Sequence, residues 1–281
     1  MKKYTFAKNF TMKFLSQSCK FLLHTIILLC SLFFLFKKNV HSQTLFIPDA
    51  GVQVSLHVGN AQYKDLLFNG LRNNGITMFL DVGYAIKAKK LHHEVKVGAG
   101  VAKMWNRYGW DSNALQYGVQ YRLLTPVSEG FQLGGNVGYG SSFYKNENVD
   151  SHHSYWRTNF TLGLSACYQI PLNYQWTLFV PLNVPLIGGM SRPDADRALT
   201  LNEPNLQVSD VLKRAHSKFQ FVALGYRFFN IELGFSFQVK LNANNRLAIG
   251  YQIQYEFTNL SRTSHWLAHL VGIQYSFKKT K

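Results

Sequence analysis

His152 and Ser154 stand one residue apart, just ahead of Tyr155-Trp156. In an extended chain, residues two apart share a face. A histidine so placed can take the proton of a serine hydroxyl, the arrangement that activates serine for acyl transfer. Both residues share the phase of Trp156 and Phe160, so the pair would look out from the apolar face that carries those rings. Such a base needs a third polar group to orient it. No acid or amide can be assigned that role from sequence, and a solvated loop edge is the competing reading.

Other histidines invite a metal reading, and their spacing argues against it. His92-His93 and His152-His153 are consecutive, and neighbouring strand residues point to opposite faces. His265 and His269 share a face, but four strand residues hold them about 13 Å apart. No cluster of Cys, His and acid has ligand spacing, so neither a metal site nor a cofactor is expected. Glycine-rich phosphate loops and the G-x-S-x-G elbow are also missing from the sequence. The remaining charges of interest are Asp81, Lys87, Lys96, Arg122, Arg157, Glu232, Lys240 and Glu256. All fall on the polar phase of alternating stretches and carry both signs, as an ion-paired interior would.

Those stretches are the elements that must position any site. From Leu247 to Thr258, Leu247, Ile249, Tyr251, Ile253, Tyr255 and Phe257 alternate with Ala248, Gly250, Gln252, Gln254, Glu256 and Thr258. Leu267, Val271, Ile273, Tyr275 and Phe277 are set likewise against Ala268, Gly272, Gln274 and Ser276. A sustained period of two predicts long strands with one apolar and one polar face. Such segments recur from Val52 onward: Met78–Ile86, Val95–Val101, Leu115–Leu123, Phe131–Phe143, Trp156–Tyr168 and Trp176–Val184. Their length matches strands that cross a bilayer at a tilt.

The glycines decide which face is inside. Gly59, Gly83, Gly98, Gly118, Gly134, Gly163, Gly234, Gly250 and Gly272 share the polar phase. Small residues belong on the crowded concave side of a narrow barrel, so the polar face is predicted inside and the apolar face outside. Only lipid accepts that arrangement. Short links (Ala88–Leu91, Thr125–Gly130, Pro171–Tyr174, Asn242–Asn245) read as periplasmic turns. Longer ones (Lys64–Gly75, Arg107–Asn113, Lys145–Ser154, Gly188–Lys218, Leu260–Ser264) read as extracellular loops.

The fold class predicted is therefore all-β, an antiparallel up-and-down transmembrane β-barrel of ten strands. The count depends on residues 219–241, where the apolar phase flips near Phe228-Phe229. Arg227-Phe228-Phe229-Asn230 is poor turn chemistry, so one long bulged strand is expected rather than two.

Tyr275-Ser276-Phe277 resembles the C-terminal assembly signal of Gram-negative outer-membrane β-barrels, although Lys278-Lys279-Thr280-Lys281 follow the final aromatic. That resemblance implies insertion by the barrel-assembly machinery through the C-terminal strand. The His152-x-Ser154 pair resembles, over two residues, the His-x-Ser of outer-membrane phospholipase A and of lipid A deacylases. It implies an outer-leaflet acyl hydrolase as an alternative activity, although no Asn follows the serine directly.

Residues 1–42 read as a signal peptide. Lys2, Lys3, Lys8, Lys13 and Lys20 precede an apolar run from Phe21 to Phe36, and Val40-His41-Ser42 offers a cleavage site before Gln43. Met12 is an alternative start. Removing the segment lowers the formal charge from +16 to +9, because seven of the 30 basic residues and none of the 14 acidic ones lie there. What remains is dispersed, so nucleic acid is not an implied partner. Cys19 and Cys30 leave with the signal, and Cys167 stays alone without a disulfide.

Residues 43–281 are thus read as one barrel domain with a long outer loop, 188–218, placed in the outer membrane with lipid as its partner. A structural or surface-interaction role is the leading expectation. The acyl hydrolase and a small-ion or small-solute channel are the alternatives. Oligomeric state cannot be read from the sequence.

Overall fold

The computed structural model describes residues 50–65, 71–146, 154–193, 213, 215, 216, 218–260 and 262–278. The predicted signal peptide, His152 and most of the 188–218 loop lie outside the described residues. The strands are β1 (Ala50–Asp65), β2 (Arg72–Ala88), β3 (Leu91–Trp105), β4 (Asp111–Ser128), β5 (Phe131–Asn146) and β6 (Ser154–Pro171). They continue with β7 (Trp176–Ser191), β8 (Gln220–Leu224), β9 (Arg227–Lys240), β10 (Asn245–Leu260) and β11 (Arg262–Lys278).

Each strand pairs with its sequence neighbour, and β1 pairs with β11 from Gly51↔Lys278 to Asp65↔Ser264, closing the ring. Closure removes the sheet edges that would otherwise expose unpaired backbone groups. The ring holds eleven strands rather than the expected ten. The extra one comes from a break in one pass, not from a further crossing. β8 and β9 both run antiparallel to β7, so the chain does not reverse between them. The break lies at Gly225 and Arg227, whose φ angles of 76° and 60° are left-handed.

The phase flip near Phe228 has a second cause. Val222 and Phe228 are both buried and point inward, like Glu232 and Gly234 farther along. Val222 and Phe228 thus share the inward phase of Glu232 and Gly234 on either side of the break, where Leu224 and Tyr226 are exposed, and what changes along the pass is the polarity of the lumen itself. The outer connection expected at Leu260–Ser264 is also shorter than predicted, because Leu260 pairs with Arg262 across Ser261.

Side chains obey the predicted faces. Leu80, Val97, Leu164, Phe237, Ile249 and Ile273 point out and are about half exposed, while Ser55, Gln116, Asn136, Ser165 and Ser276 point in and are buried. A wall of this kind is unfavourable in water and suited to hydrocarbon. Glycines on the inner face leave room for neighbouring charges. A Cβ on Gly98 would overlap the Asp81 carboxylate opposite it, and one on Gly272 would overlap the His57 ring.

Candidate functional site

The lumen is divided into two unlike halves. At the level of the short turns and mid-barrel it is polar. Arg122 donates from Nε to Glu94 Oε2 at 2.9 Å, and Lys96 Nζ lies 3.3 Å from Glu94 Oε1. His57 Nε2 and Asp81 Oδ2 are 3.5 Å apart. Glu232 accepts from Asn183 at 3.2 Å and also from Gln252. His57, Asp81, Lys96, Glu232, Gln252 and Gln274 line a chamber of about 380 Å³. That space is large enough and polar enough to hold water. Its upper wall includes Trp266, Leu270 and the ion pair of Arg157 with Glu256, 3.1 Å apart and almost fully buried.

Above the chamber the bore is filled. Tyr63 of β1 stacks on Tyr144 of β5 with centroids 4.5 Å apart and planes 6° from parallel. Tyr155 of β6 and Trp266 of β11 pack around this pair at 5.7–6.5 Å. β1 and β11 lie across the ring from β5 and β6, so the rings meet through the middle of the barrel. Ala61, Ala102, Met104, Ala268 and Leu270 complete that side, and Met190, Val222, Phe228 and Leu260 form a second buried cluster against β7–β10.

One charge network ties the filled half together. Asp65, at the end of β1, is fully buried. Its Oδ2 accepts from Tyr63 at 2.9 Å, Tyr155 at 2.6 Å and Arg192 Nη2 at 2.7 Å. Arg192 follows β7 and turns back into the bore. Its Nε donates to Tyr155 at 2.9 Å, and its Nη1 donates to Thr258 Oγ1 and the Arg262 carbonyl at 3.0 Å each. Burial works to lower the Arg192 pKa, but Tyr155 and Asp65 outweigh it and hold the group above its ordinary value. A guanidinium with its donors engaged across β1, β6, β10 and β11 is a cross-brace, since burial is tolerated only when the charge is paired and hydrogen-bonded.

Solved outer-membrane barrels resemble this ring. The β domain of the Bordetella autotransporter BrkA matches at 10% identity over 82% of this chain and 100% of its own, with a TM-score of 0.48. The translocator domain of the Neisseria meningitidis autotransporter NalP matches at 11% identity over 92% and 97%, with a TM-score of 0.43. The Escherichia coli outer-membrane protease OmpT matches at 7% identity over 84% and 99%, with a TM-score of 0.45. Likeness at this level concerns fold alone, and the named roles differ from one barrel to the next. No family model and no curated protein matches the chain.

The residues singled out by sequence are scattered through this scheme. Asp81, Lys96 and Glu232 face the chamber, and Arg122 meets Glu94 near the start of β3. Arg157 meets Glu256, while Lys87 and Lys240 are exposed near the short turns. Tyr275 and Phe277 lie on the outer face of β11, with ring centroids 5.9 Å apart. Ser154 opens β6 opposite Lys145. Asp65, Arg192, Tyr63 and Tyr155 were missed. The available signal was their phase, since Ala61, Tyr63 and Asp65 continue the inward series of His57 and Gly59.

The outer wall carries one further feature. Ala215 is buried against Trp156, and His216 lies between two outward tyrosines, with Nδ1 2.7 Å from the Tyr139 hydroxyl and Nε2 3.3 Å from that of Tyr117. Ala215 and His216 therefore lie against the outside of β4–β6, not inside the bore.

Proposed function

We propose that this chain is an integral outer-membrane β-barrel with a shut lumen, whose role is structural or is exercised at its outer surface. Export through cleavage of residues 1–42 and assembly through the strand ending in Tyr275 and Phe277 belong to the same reading. The membrane placement is supported by the apolar exterior and the closed ladder. The observation that carries the rest is the stack of Tyr63 on Tyr144 across the bore, braced by Arg192 and Asp65. Interlocked rings and a fully engaged guanidinium leave the outer half of the lumen packed like a protein core. A channel role has the opposite requirement, a wet path from end to end.

Purified protein inserted into planar bilayers tests this directly. The expected record is flat at the leak of the lipid alone. Reproducible unitary steps from the wild-type chain would refute the shut lumen and restore the channel reading.

A further inference from the structure

On the outward face of β1, Val52, Val54, Leu56 and Val58 give way to Asn60, Gln62 and Lys64. The change comes while β1 is still paired on both sides, with Asn60 opposite His269 of β11 and Ile76 of β2. Lys64 lies opposite Arg72 of β2 and His265 of β11, so one row places a histidine, a lysine and an arginine side by side on one face. On other strands the outward face carries large apolar side chains farther toward the rim. β5, for example, carries Val137, Tyr139, Ser141 and Phe143 outward before Lys145.

Like charges directly opposite each other across a ladder repel unless an anion lies between them. Among the described residues Lys64 and Arg72 make no ion pair, and both are exposed. Arg72 instead donates to the Gln62 amide oxygen. Asp65 is the nearest acid in the chain, but it points into the bore and is held by Arg192. The link from 66 to 70 is Leu-Leu-Phe-Asn-Gly, with no acid. A comparable position on β3 is compensated differently, with Lys103 3.7 Å from Asp111.

We infer that this notch in the β11–β1–β2 wall binds the headgroup of a phosphorylated glycolipid in the outer leaflet. Lys64 and Arg72 supply the countercharge for phosphate. The amides of Asn60 and Gln62 suit sugar hydroxyls, which donate and accept alike. Val58, Met78 and Val271 below them are exposed and suit acyl chains. The inference rests on the membrane reading and names the lipid that this reading leaves open.

The test uses the full mature chain in phosphatidylcholine vesicles containing either diphosphoryl lipid A, its dephosphorylated form, or phosphatidylglycerol. Flotation with the vesicles is scored first, and native mass spectrometry then counts retained lipid. Diphosphoryl lipid A should be retained in preference to both others. The double variant Lys64→Gln/Arg72→Gln should lose that retention at least tenfold, while Lys90→Gln in the opposite turn keeps it. Equal retention by the double variant overturns the inference, and equal retention of phosphatidylglycerol overturns the glycolipid assignment. A chain that does not float with any vesicle overturns the membrane reading itself, and the site with it.

Discussion

The two halves of the bore are built from the same strands and the same inward positions, yet they are different solvents. Toward the short turns, inward residues are His57, Asp81, Lys96, Glu232 and Gln274 around a chamber of about 380 Å³. Toward the long loops they are Tyr63, Met104, Tyr144, Trp266 and Leu270, buried and in mutual contact. The outer half thus resembles the core of a water-soluble protein, and the inner half its surface turned inward. A strand that crosses both must change the polarity of its inward face along its length, whatever its outward face does. Alternation is strong in one half and fades in the other for that reason.

The largest effect should come from the brace that holds the dry half. Asp65→Asn leaves the Arg192 guanidinium buried without its counter-ion, and loss of one partner of a buried pair costs about 3–5 kcal/mol. Urea unfolding in liposomes should show that loss for Asp65→Asn and for Arg192→Met. The double variant should cost less than the sum of the two, since neither charge is then left alone. If Asp65→Asn shifts stability by less than about 1 kcal/mol, the network is solvated and the outer half is not dry.

How much of this could be read from sequence follows the same division. The closed ladder, the two faces and the inward glycines were legible, because alternation needs only a difference between faces. Leu247 to Phe257 against Ala248 to Thr258 is enough to orient β10. The plug was not legible, because its inward residues are as apolar as the outward ones. Trp266 and Leu270 sit on the polar phase of β11, where they look like breaks in a pattern. Val222 and Phe228 imitated a phase flip for the same reason. Tyr155, next to the outward Trp156, points into the bore. Asp65 and Arg192 fell in stretches assigned to loops; Asp65 had only its phase with Ala61 and Tyr63 to mark it as inward, and nothing local marks Arg192. Their pairing joins residues far apart in the chain, and only the closed ring brings them together.

Leu270 and Gln274 offer a comparison within one strand and one face. Leu270 is 1% exposed in the aromatic cluster that caps the chamber, whereas Gln274 lies in the chamber's polar wall and donates to Ser276 at 3.1 Å. Leu270→Ala should cost about 2–5 kcal/mol, the range for emptying a packed core site. Gln274→Ala should stay within about 1 kcal/mol, since water can replace the amide. The same unfolding assay measures both. Similar costs at the two positions would mean that the interior is uniform and not divided into a wet and a dry half.

The smallest effect is expected at Lys96, and it probes the wet half most directly. Its ammonium lies 3.3 Å from Glu94, but the Lys96 side chain is 33% exposed while Glu94 is 5% exposed. Glu94 also keeps Arg122, which bonds it through Nε and Nη2. Lys96→Gln therefore removes a solvent-facing partner without orphaning the buried carboxylate. With water in the chamber to screen what is left, the change should stay below about 1 kcal/mol. Arg122→Gln is the matching control, because it takes away the buried partner and should cost more than Lys96→Gln. If Lys96→Gln were as damaging as Asp65→Asn, Glu94 would have to depend on both cations in a dry site. The chamber could not then be filled with water, and the contrast between the halves would reduce to one of residue type alone.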